Sequence, residues 1–361
     1  MGRNGLFLAL LLGVLVAALP AADAIIESVI ASPTAEHPRN SEGDVIALQD
    51  GTLLVAWTDF YGGVPDDYAV ARISAARSRD GGRTWGERFT LVENTAGMNI
   101  MSVSFLRIRT GEVLFFYCVK NSKTDLKLYV RRSADETKTW SEPLRITPET
   151  GYHVMNNARA VQLSDGRIIC PVARTEEAIA KGEVYRAVMY FSDDDGRTWS
   201  RGQGETFCGQ RGAMEPGVIA LRDGRLLQIL RTQFGLIWHA YSSDRGNTWT
   251  EAKPWTVVTP EAPSTLVRLP DNGDLLLVYN PIAQMNGPSH SGRRTPMAAA
   301  ISRDDGRTWL KMKLVENDLT RTYAYFSVRI HEGRVLLVYH SSQDNRSALV
   351  FKSIPFGWFR E

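Results

Sequence analysis

Six stretches of the chain share one pattern of apolar and polar positions: two apolar runs separated by a short polar turn that ends in glycine. Residues 45–57 (VIALQDGTLLVAW) and 218–230 (VIALRDGRLLQIL) are typical of the six. Asp-Gly or Asn-Gly between two strand-like runs is the strongest short-range signal for a β-hairpin. The pattern therefore predicts six hairpins, with turns ending at Gly51, Gly111, Gly166, Gly224, Gly273 and Gly333.

An octapeptide, Ser-x-Asp-x-Gly-x-Thr-Trp, alternates with these hairpins. It starts at Ser78, Ser192, Ser242 and Ser302, and a fifth copy at 133–140 has Thr137 in place of the glycine. The aspartate can accept hydrogen bonds from nearby backbone N–H groups, and the glycine permits a positive φ, so each copy predicts a tight turn. The tryptophan that follows can then pack on a neighbouring sheet. We interpret these boxes as structural turns.

Hairpins alternating with boxes indicate an all-β fold. The pattern contains no long amphipathic helical stretch, and each hairpin is followed by a further strand, a box and another strand. Four-stranded units repeated radially form a propeller, so we predict a six-bladed β-propeller of four-stranded antiparallel blades. An open β-solenoid is the alternative, but a repeat of roughly 55 residues is long for one coil. No linker divides the chain, so residues 25–361 are predicted to form a single domain.

The first 24 residues have the features of a secretory signal. Arg3 gives a basic start, residues 6–19 are almost wholly apolar, and Ala22-Asp23-Ala24 has the small-x-small form of a cleavage site. We expect a mature chain that starts near Ile25 and is secreted or periplasmic; a retained N-terminal anchor is the alternative. No second apolar stretch of that length follows, so no membrane span is expected in the mature chain.

Charge and cysteine content exclude several function classes. Lys and Arg number 42 against 40 Asp and Glu, for a net charge of +2, which argues against a nucleic-acid partner. Cys118, Cys170 and Cys208 are too few for a disulfide framework, and no His/Cys spacing resembles a zinc site. We therefore expect neither a metal nor a cofactor.

The charged side chains concentrate at one end of the predicted blades. Call the hairpin strands A and B, and the strand that enters each box C. The glycine turns and the boxes lie at one end of an antiparallel blade, and the start of A, the end of B and the start of C lie at the other. The candidate functional residues at this second rim are Arg39, Asp66, Asp67, Asn157, Arg159, Glu215, Arg231, Arg293, Arg294, Tyr323 and Tyr325. A site at the mouth of the central channel is expected there.

With these boxes and six hairpins, the chain resembles the sialidases (neuraminidases), six-bladed propellers of the bacterial neuraminidase repeat type. The resemblance covers essentially the whole predicted mature chain. Glu215 and Arg231 have the sixteen-residue separation of a sialidase Glu–Arg pair, and Arg294 precedes a C strand as a sialidase arginine does. Tyr325 opens the last hairpin in an Ala-Tyr-Phe-Ser stretch similar to the sialidase Ala-Tyr-Ser. Arg39 is the candidate for the early arginine, and Asp66 or Asp67 for the aspartate before the first C strand.

The resemblance implies a retaining exo-glycosidase that removes sialic acid from glycans ending in this acidic sugar. Arg39, Arg231 and Arg294, with Arg293 as the substitute for Arg294, would grip the substrate carboxylate. Tyr325 would be the nucleophile, activated by Glu215, and Asp66 or Asp67 the acid/base. Strand alternation places Tyr323 on the same side as Tyr325, which makes Tyr323 the rival nucleophile.

Several features depart from the sialidase pattern. The usual Arg-Ile-Pro is absent around Arg39, and His340 stands where sialidases often have a glutamate that supports the first arginine, a role Glu42 could take. The segment containing Asn157 and Arg159 matches no sialidase motif, although its place at the rim makes both residues candidates for substrate binding. Two alternatives therefore remain: a glycosidase of this fold acting on another acidic sugar, and a non-catalytic glycan-binding propeller.

Overall fold

Six antiparallel blades, each with four strand positions, surround a common axis in the computed structural model, which describes residues 24–178, 182–283 and 293–361. Short parallel pairs between neighbouring blades join four of the blades into one continuous sheet. Blade one contains β2 (Arg39–Ala47), β3 (Leu53–Phe60), β4 (Ala71–Ser78) and β5 (Phe89–Val92). Blade two contains β6 (Asn99–Arg107), β7 (Val113–Ser122), β8 (Asp125–Ser133) and β9 (Leu144–Arg145). Blade three contains an interrupted inner strand, β10 (Gly151–Val154) with β11 (Val161–Gln162), then β12 (Ile168–Thr175), β13 (Arg186–Ser192) and β14 (Ser200–Thr206).

The second half of the chain repeats this order. Blade four contains β15 (Met214–Ala220), β16 (Leu226–Arg231), β17 (Leu236–Ser242) and β18 (Lys253–Val258). Blade five contains β19 (Thr265–Arg268), β20 (Leu275–Tyr279), β21 (Met297–Ser302) and β22 (Leu310–Glu316). Blade six contains β23 (Thr322–His331), β24 (Arg334–Gln343), β25 (Arg346–Pro355) and, as its outermost strand, β1 (Ile26–Ala31); a 3₁₀ turn, Phe356–Phe359, follows β25. The predicted all-β, six-bladed propeller is confirmed.

The first strand closes the ring. We expected each blade to draw its four strands from consecutive chain, but β1 pairs antiparallel with β25, so the two ends of the described chain meet in blade six. The innermost strand β2 contacts both β6 and β23, its neighbours on either side. Closure of this kind leaves few exposed sheet edges.

The hairpin turns form where the sequence predicts them. All six turn glycines have positive φ, from 74° to 102°, which a residue with a Cβ rarely adopts. Each hairpin turn therefore needs a residue that tolerates a positive φ, and the glycine in the sequence meets that need.

The boxes are tight turns at the same end of the blades. In the box at 192–199, Asp194 accepts hydrogen bonds from the Thr198 amide at 2.9 Å and the Thr198 hydroxyl at 2.6 Å. The divergent copy keeps these bonds: Asp135 accepts from the Thr139 amide at 2.9 Å, and Thr137 takes φ 65° where the other copies have glycine. The boxes are thus structural, as expected.

The box tryptophans pack on aromatic residues of the blades. Trp85 packs edge-on against Phe351 of blade six, with ring centroids 5.3 Å apart. Trp199 makes the same type of contact with Phe116 of blade two at 5.9 Å. In these two boxes the tryptophan therefore packs on the preceding blade, whereas Trp140 packs on Phe105 and Phe115 of its own blade.

Within the described residues, no helix is long and apolar enough to cross a membrane. The predicted signal segment falls on residues 1–23, which lie outside the described part of the chain, and on Ala24.

Candidate active site

The innermost strands of four blades carry the same β-bulge at the rim. In β2, β6, β15 and β23, two residues oppose one on the next strand, and the first of the two has a left-handed backbone. These residues are Glu42 (φ 52°), Ser102 (φ 59°), Glu215 (φ 43°) and Tyr325 (φ 59°). A non-glycine residue held in this region costs about 1–3 kcal/mol, and such residues cluster at functional sites. All four line one pocket at the end of the propeller axis.

Tyr325 lies where two lobes of this pocket meet. The inner lobe contains Glu215 and Arg231, the outer lobe contains Arg39 and Arg294, and Tyr325 lines both. Burial, together with the negative charge of Glu215, raises the pKa of Tyr325 to about 12. The hydroxyl is therefore protonated at neutral pH and needs a base to become a nucleophile.

Glu215 is held as a carboxylate beside this tyrosine. Its Oε2 accepts a hydrogen bond from Arg231 Nη1 at 2.9 Å. Burial alone would raise the pKa of Glu215, but the charges of Arg231, Arg294 and Arg159 and the hydrogen bond from Arg231 hold it below its usual range. Glu215 is consequently charged at neutral pH and available to accept a proton.

Arg231 and Arg294 approach Tyr325 from blades four and five. Arg231 is almost wholly buried, and its Nε and Nη2 atoms lack hydrogen-bond partners among the described residues. The guanidinium of Arg294 lies 5.7 Å from the centre of the Tyr325 ring. Burial and the nearby Arg231 charge lower the pKa of Arg294. Two guanidiniums close enough to repel one another favour an anion between them.

Arg39 completes the set from blade one. It packs on the ring of Phe60 at 4.5 Å, contacts Asp67 through Nη1 and lies 3.5 Å from Glu42 Oε1. Burial alone would lower the pKa of Arg39, but the charges of Asp67, Glu42 and Tyr325 raise it. Glu42 thus supports the first arginine, as the sequence suggested.

The structure separates the two candidate aspartates. Asp67 lines both lobes of the pocket. Asp66 lines only the outer lobe, and its Oδ1 accepts the Tyr68 amide at 2.8 Å within the loop turn. Asp67 is therefore the better placed for proton transfer.

The two consecutive arginines also differ. Arg294 lines the outer lobe, whereas Arg293 is exposed and donates to the carbonyl of Leu319. The first choice, Arg294, is the one that faces the site, and Arg293 is not brought to it.

Asn157 and Arg159 lie behind the pocket, which differs from the expected contact with substrate. Asn157 Nδ2 donates to the carbonyls of Gly43 at 2.8 Å and Tyr325 at 2.9 Å. Arg159 Nη1 lies 3.4 Å from Thr265 Oγ1, and burial lowers its pKa to about 10. The inner strand of blade three is interrupted around Ala158 (φ 56°), so this segment leaves the ladder and supports the inner strands instead.

Tyr323 does not share the face of Tyr325, so the rival assignment is wrong. Tyr323 and Phe326 belong to the apolar core between blades five and six, and Tyr323 packs edge-on against Tyr339. The bulge adds one residue between Ala324 and Ser327, and the left-handed backbone at Tyr325 breaks the alternation on which the prediction relied.

His340 occupies the position where a glutamate was expected. Its ring lies edge-on to Tyr325 with centroids 5.2 Å apart. Burial and the charges of Arg39 and Arg294 lower its pKa well below the usual value, so the imidazole is neutral at neutral pH. The positive charge of Arg39 is therefore balanced by Asp67 and Glu42 rather than from blade six.

Two buried residues of the site were missed from the sequence. Glu261 contacts Arg211 through its carboxylate, lies 3.8 Å from Arg231 Nη2, and accepts Arg294 Nη2 at its backbone carbonyl at 3.0 Å. Lys120 lines the inner lobe. Lys120 lies opposite Asn99, the first residue of β6, as Arg231 lies opposite Met214, the first residue of β15, and this equivalence is the signal that could have identified it.

Among the described residues, no group of three or more His, Cys, Asp and Glu side chains is arranged to hold a metal ion.

Comparison with known proteins identifies related sequences and folds. Residues 51–337 match the model of the BNR repeat-like domain family. A sialidase of Bacteroides fragilis is 26% identical over 306 residues, which cover 73% of this chain and 53% of that protein. The chain spans about half the length of the curated relatives it matches.

Solved structures share the fold. A mutant Trypanosoma rangeli sialidase displaying trans-sialidase activity superposes with a TM-score of 0.74 at 17% identity, covering 94% of this chain and 60% of that one. A Dyadobacter fermentans protein of unknown function superposes with a TM-score of 0.71 at 19% identity, covering 93% of this chain and 99% of that one. These similarities concern the propeller as a whole.

Proposed function

Because the chain belongs to the BNR repeat-like domain family, as a divergent relative of the sialidases, we propose that it is a retaining glycoside hydrolase that removes terminal sialic acid. One observation carries the proposal: Arg39, Arg231 and Arg294 come from three blades and surround the Tyr325–Glu215 pair. The tyrosine and glutamate can act as nucleophile and base. The three nearby guanidiniums suit a substrate that carries an anionic group at its reacting carbon.

Sialic acid has that property, since its carboxylate is attached to the anomeric carbon. Guanidiniums bind carboxylates through paired hydrogen bonds, and Nη2 of Arg231, which makes no hydrogen bond with the described residues, offers one donor for them. Arg39 would exchange part of its contact with Asp67 for the substrate. Gripping the carboxylate fixes the anomeric carbon in front of Tyr325.

A tyrosine nucleophile suits an anionic substrate, because a carboxylate nucleophile would be repelled by the substrate charge. Sialidases are known for this departure from the usual pair of carboxylates. The Tyr325 oxygen attacks the anomeric carbon while its proton passes to Glu215. The bond to the leaving oxygen breaks, and that oxygen takes a proton from Asp67.

The second step reverses these transfers. A water molecule gives its proton to Asp67 and attacks the anomeric carbon, displacing the Tyr325 oxygen. Glu215 returns the proton to Tyr325. Two displacements at one carbon retain the anomeric configuration.

Hydrolysis of a fluorogenic aryl sialoside tests the proposal, with Tyr325→Phe as the matched inactive control. Release of sialic acid by the unmodified protein and loss of release in the variant are expected. If the protein binds glycans on an array without cleaving them, it is a glycan-binding propeller. If it cleaves only a glycoside of another acidic sugar, the proposed two-step mechanism applies to a different substrate.

Secretion, expected from the first 24 residues, remains part of this proposal. Mass spectrometry of the protein recovered from its native host would test it, and a mature N-terminus near Ile25 is the predicted result.

A further inference from the structure

The candidate acid/base is carried by a loop, and that loop is held by the neighbouring blade. Asp67 lies in the connection between β3 and β4, and its side chain is 45% exposed. Its peptide carbonyl accepts hydrogen bonds from Lys120 Nζ at 2.8 Å and from Asn99 Nδ2 at 3.0 Å. Asn99 Nδ2 also donates to the carbonyl of Ala69 at 2.8 Å.

The two donors form one rigid unit. Asn99 and Lys120 are directly opposite each other in the β6–β7 ladder, and both are fully buried. The end of the loop is fixed to the same place, since Ala71 at the start of β4 pairs in parallel with Asn99. Blade two therefore holds the backbone of Asp67, while Arg39 of its own blade contacts the side chain.

Lys120 is buried, and its burial must be offset by favourable contacts of its ammonium group. Removing an ammonium from water is costly, and burial lowers the pKa of Lys120 although the charges of Asp67 and Glu42 raise it. The rings of Tyr68 and Tyr152 lie 4.8 Å and 5.8 Å from Nζ and offset part of this cost. The recorded hydrogen bond of the ammonium goes to the peptide of Asp67, not to a carboxylate, so it fixes the backbone that carries the acid.

We propose that Lys120 is a positioning residue that holds Asp67 in place for proton transfer to the leaving oxygen. This inference rests on the function proposed above. A displaced acid matters most when the leaving group needs a proton. An aryl leaving group departs as a stable anion, whereas the sugar hydroxyl of a natural glycan does not.

The test compares two substrates with opposite demands for the acid. For the unmodified protein and Lys120→Met, kcat/KM is measured on 3′-sialyllactose and on 4-methylumbelliferyl sialoside. The variant should lose about a hundredfold on sialyllactose and less than about tenfold on the aryl sialoside. Because kcat/KM covers the steps up to formation of the covalent intermediate, the later role of Asp67 with water does not enter.

Lys127→Met is the matched control. Lys127 belongs to the same blade, is buried, and donates to a backbone carbonyl, that of Gly151, at 2.7 Å. It should leave the ratio of the two kcat/KM values unchanged. If Lys120→Met fails to fold, Asn99→Ala removes the other bond to the same carbonyl and should change the ratio in the same direction.

Equal losses on both substrates would overturn the assignment, because a general distortion of the pocket lowers both values. An unchanged ratio in the folded variant would overturn it as well. If the unmodified protein cleaves neither sialoside, the proposed function has failed and this assignment fails with it.

Discussion

Glu215 and Tyr325 occupy equivalent positions in blades four and six, each as the left-handed first residue of a bulge in the innermost strand. The same bulge places Glu42 and Ser102 in blades one and two. The base and the nucleophile are therefore two versions of one repeated backbone feature. A regular strand would alternate its side chains between the two faces of the blade. The bulge breaks this alternation, and all four side chains then line one pocket.

Because the bulge brings Tyr325 to the pocket and leaves Tyr323 in the core, the two tyrosines should respond differently to the same substitution. Tyr325→Phe should lower kcat/KM on an aryl sialoside by more than about a thousandfold, because the nucleophilic oxygen is lost. Binding of an unsaturated sialic-acid analogue, measured by calorimetry, should persist. Tyr323→Phe is the control, since Tyr323 packs in the core between blades five and six; loss of turnover in this variant instead would contradict the assignment.

Glu215 should set the acid limb of the pH profile. Its pKa lies below the ordinary value of 4.5, so the carboxylate that accepts the Tyr325 proton is present at neutral pH and is lost as pH falls through the lowered pKa. A limb below pH 4.5 in kcat/KM is expected, and Glu215→Gln should lower activity by about 10²–10⁴-fold. A profile that declines from pH 6 to 5, with the protein still folded, would argue against this base.

The two adjacent arginines give a test of the carboxylate grip. Arg294→Lys removes the planar donor pair and should weaken binding of the unsaturated analogue by about 10–100-fold. Arg293→Ala should bind it normally, because the Arg293 side chain is exposed and donates to the carbonyl of Leu319, away from the pocket. Weaker binding in Arg293→Ala and normal binding in Arg294→Lys would instead assign the carboxylate contact to Arg293.

The sequence predicts those structural features that depend on residues close together in the chain. The hairpins and boxes were predicted because a glycine turn or an Asp–Thr hydrogen bond needs only neighbouring residues. The pairing of Glu215 with Arg231 was also within reach, since a hairpin brings the start of one strand to the end of the next.

Features that depend on bulges or on other blades were not predicted. Alternation placed Tyr323 beside Tyr325, and one extra residue in the strand reverses that outcome. Lys120 and Glu261 act on residues of adjacent blades. The place of Lys120 in its strand matches that of Arg231, but no local pattern identifies the residue that either side chain contacts. The choice of Asp67 over Asp66 likewise depends on how a loop is held.

The boxes should affect stability and leave catalysis unchanged. Hydrogen bonds from Thr198 and Ser192 outweigh the effect of burial and lower the pKa of Asp194 to about 2. Its contribution is present above the ordinary value of 3.8 and is lost as pH falls towards 2. Asp194→Ala should lower the free energy of unfolding by about 1–3 kcal/mol in urea at pH 7, with a smaller difference at pH 2. Reduced kcat in the folded variant would show that the box reaches the site.

The proposed mechanism requires a covalent bond between the sugar and Tyr325, and a slow-reacting substrate analogue can trap that bond. The protein is incubated with 2,3-difluorosialic acid, digested, and its peptides are sequenced by mass spectrometry. One fluorosialyl group is expected, attached to Tyr325 and absent from Tyr325→Phe. Attachment to any other residue, or no attachment in a preparation that hydrolyses the aryl sialoside, would contradict it.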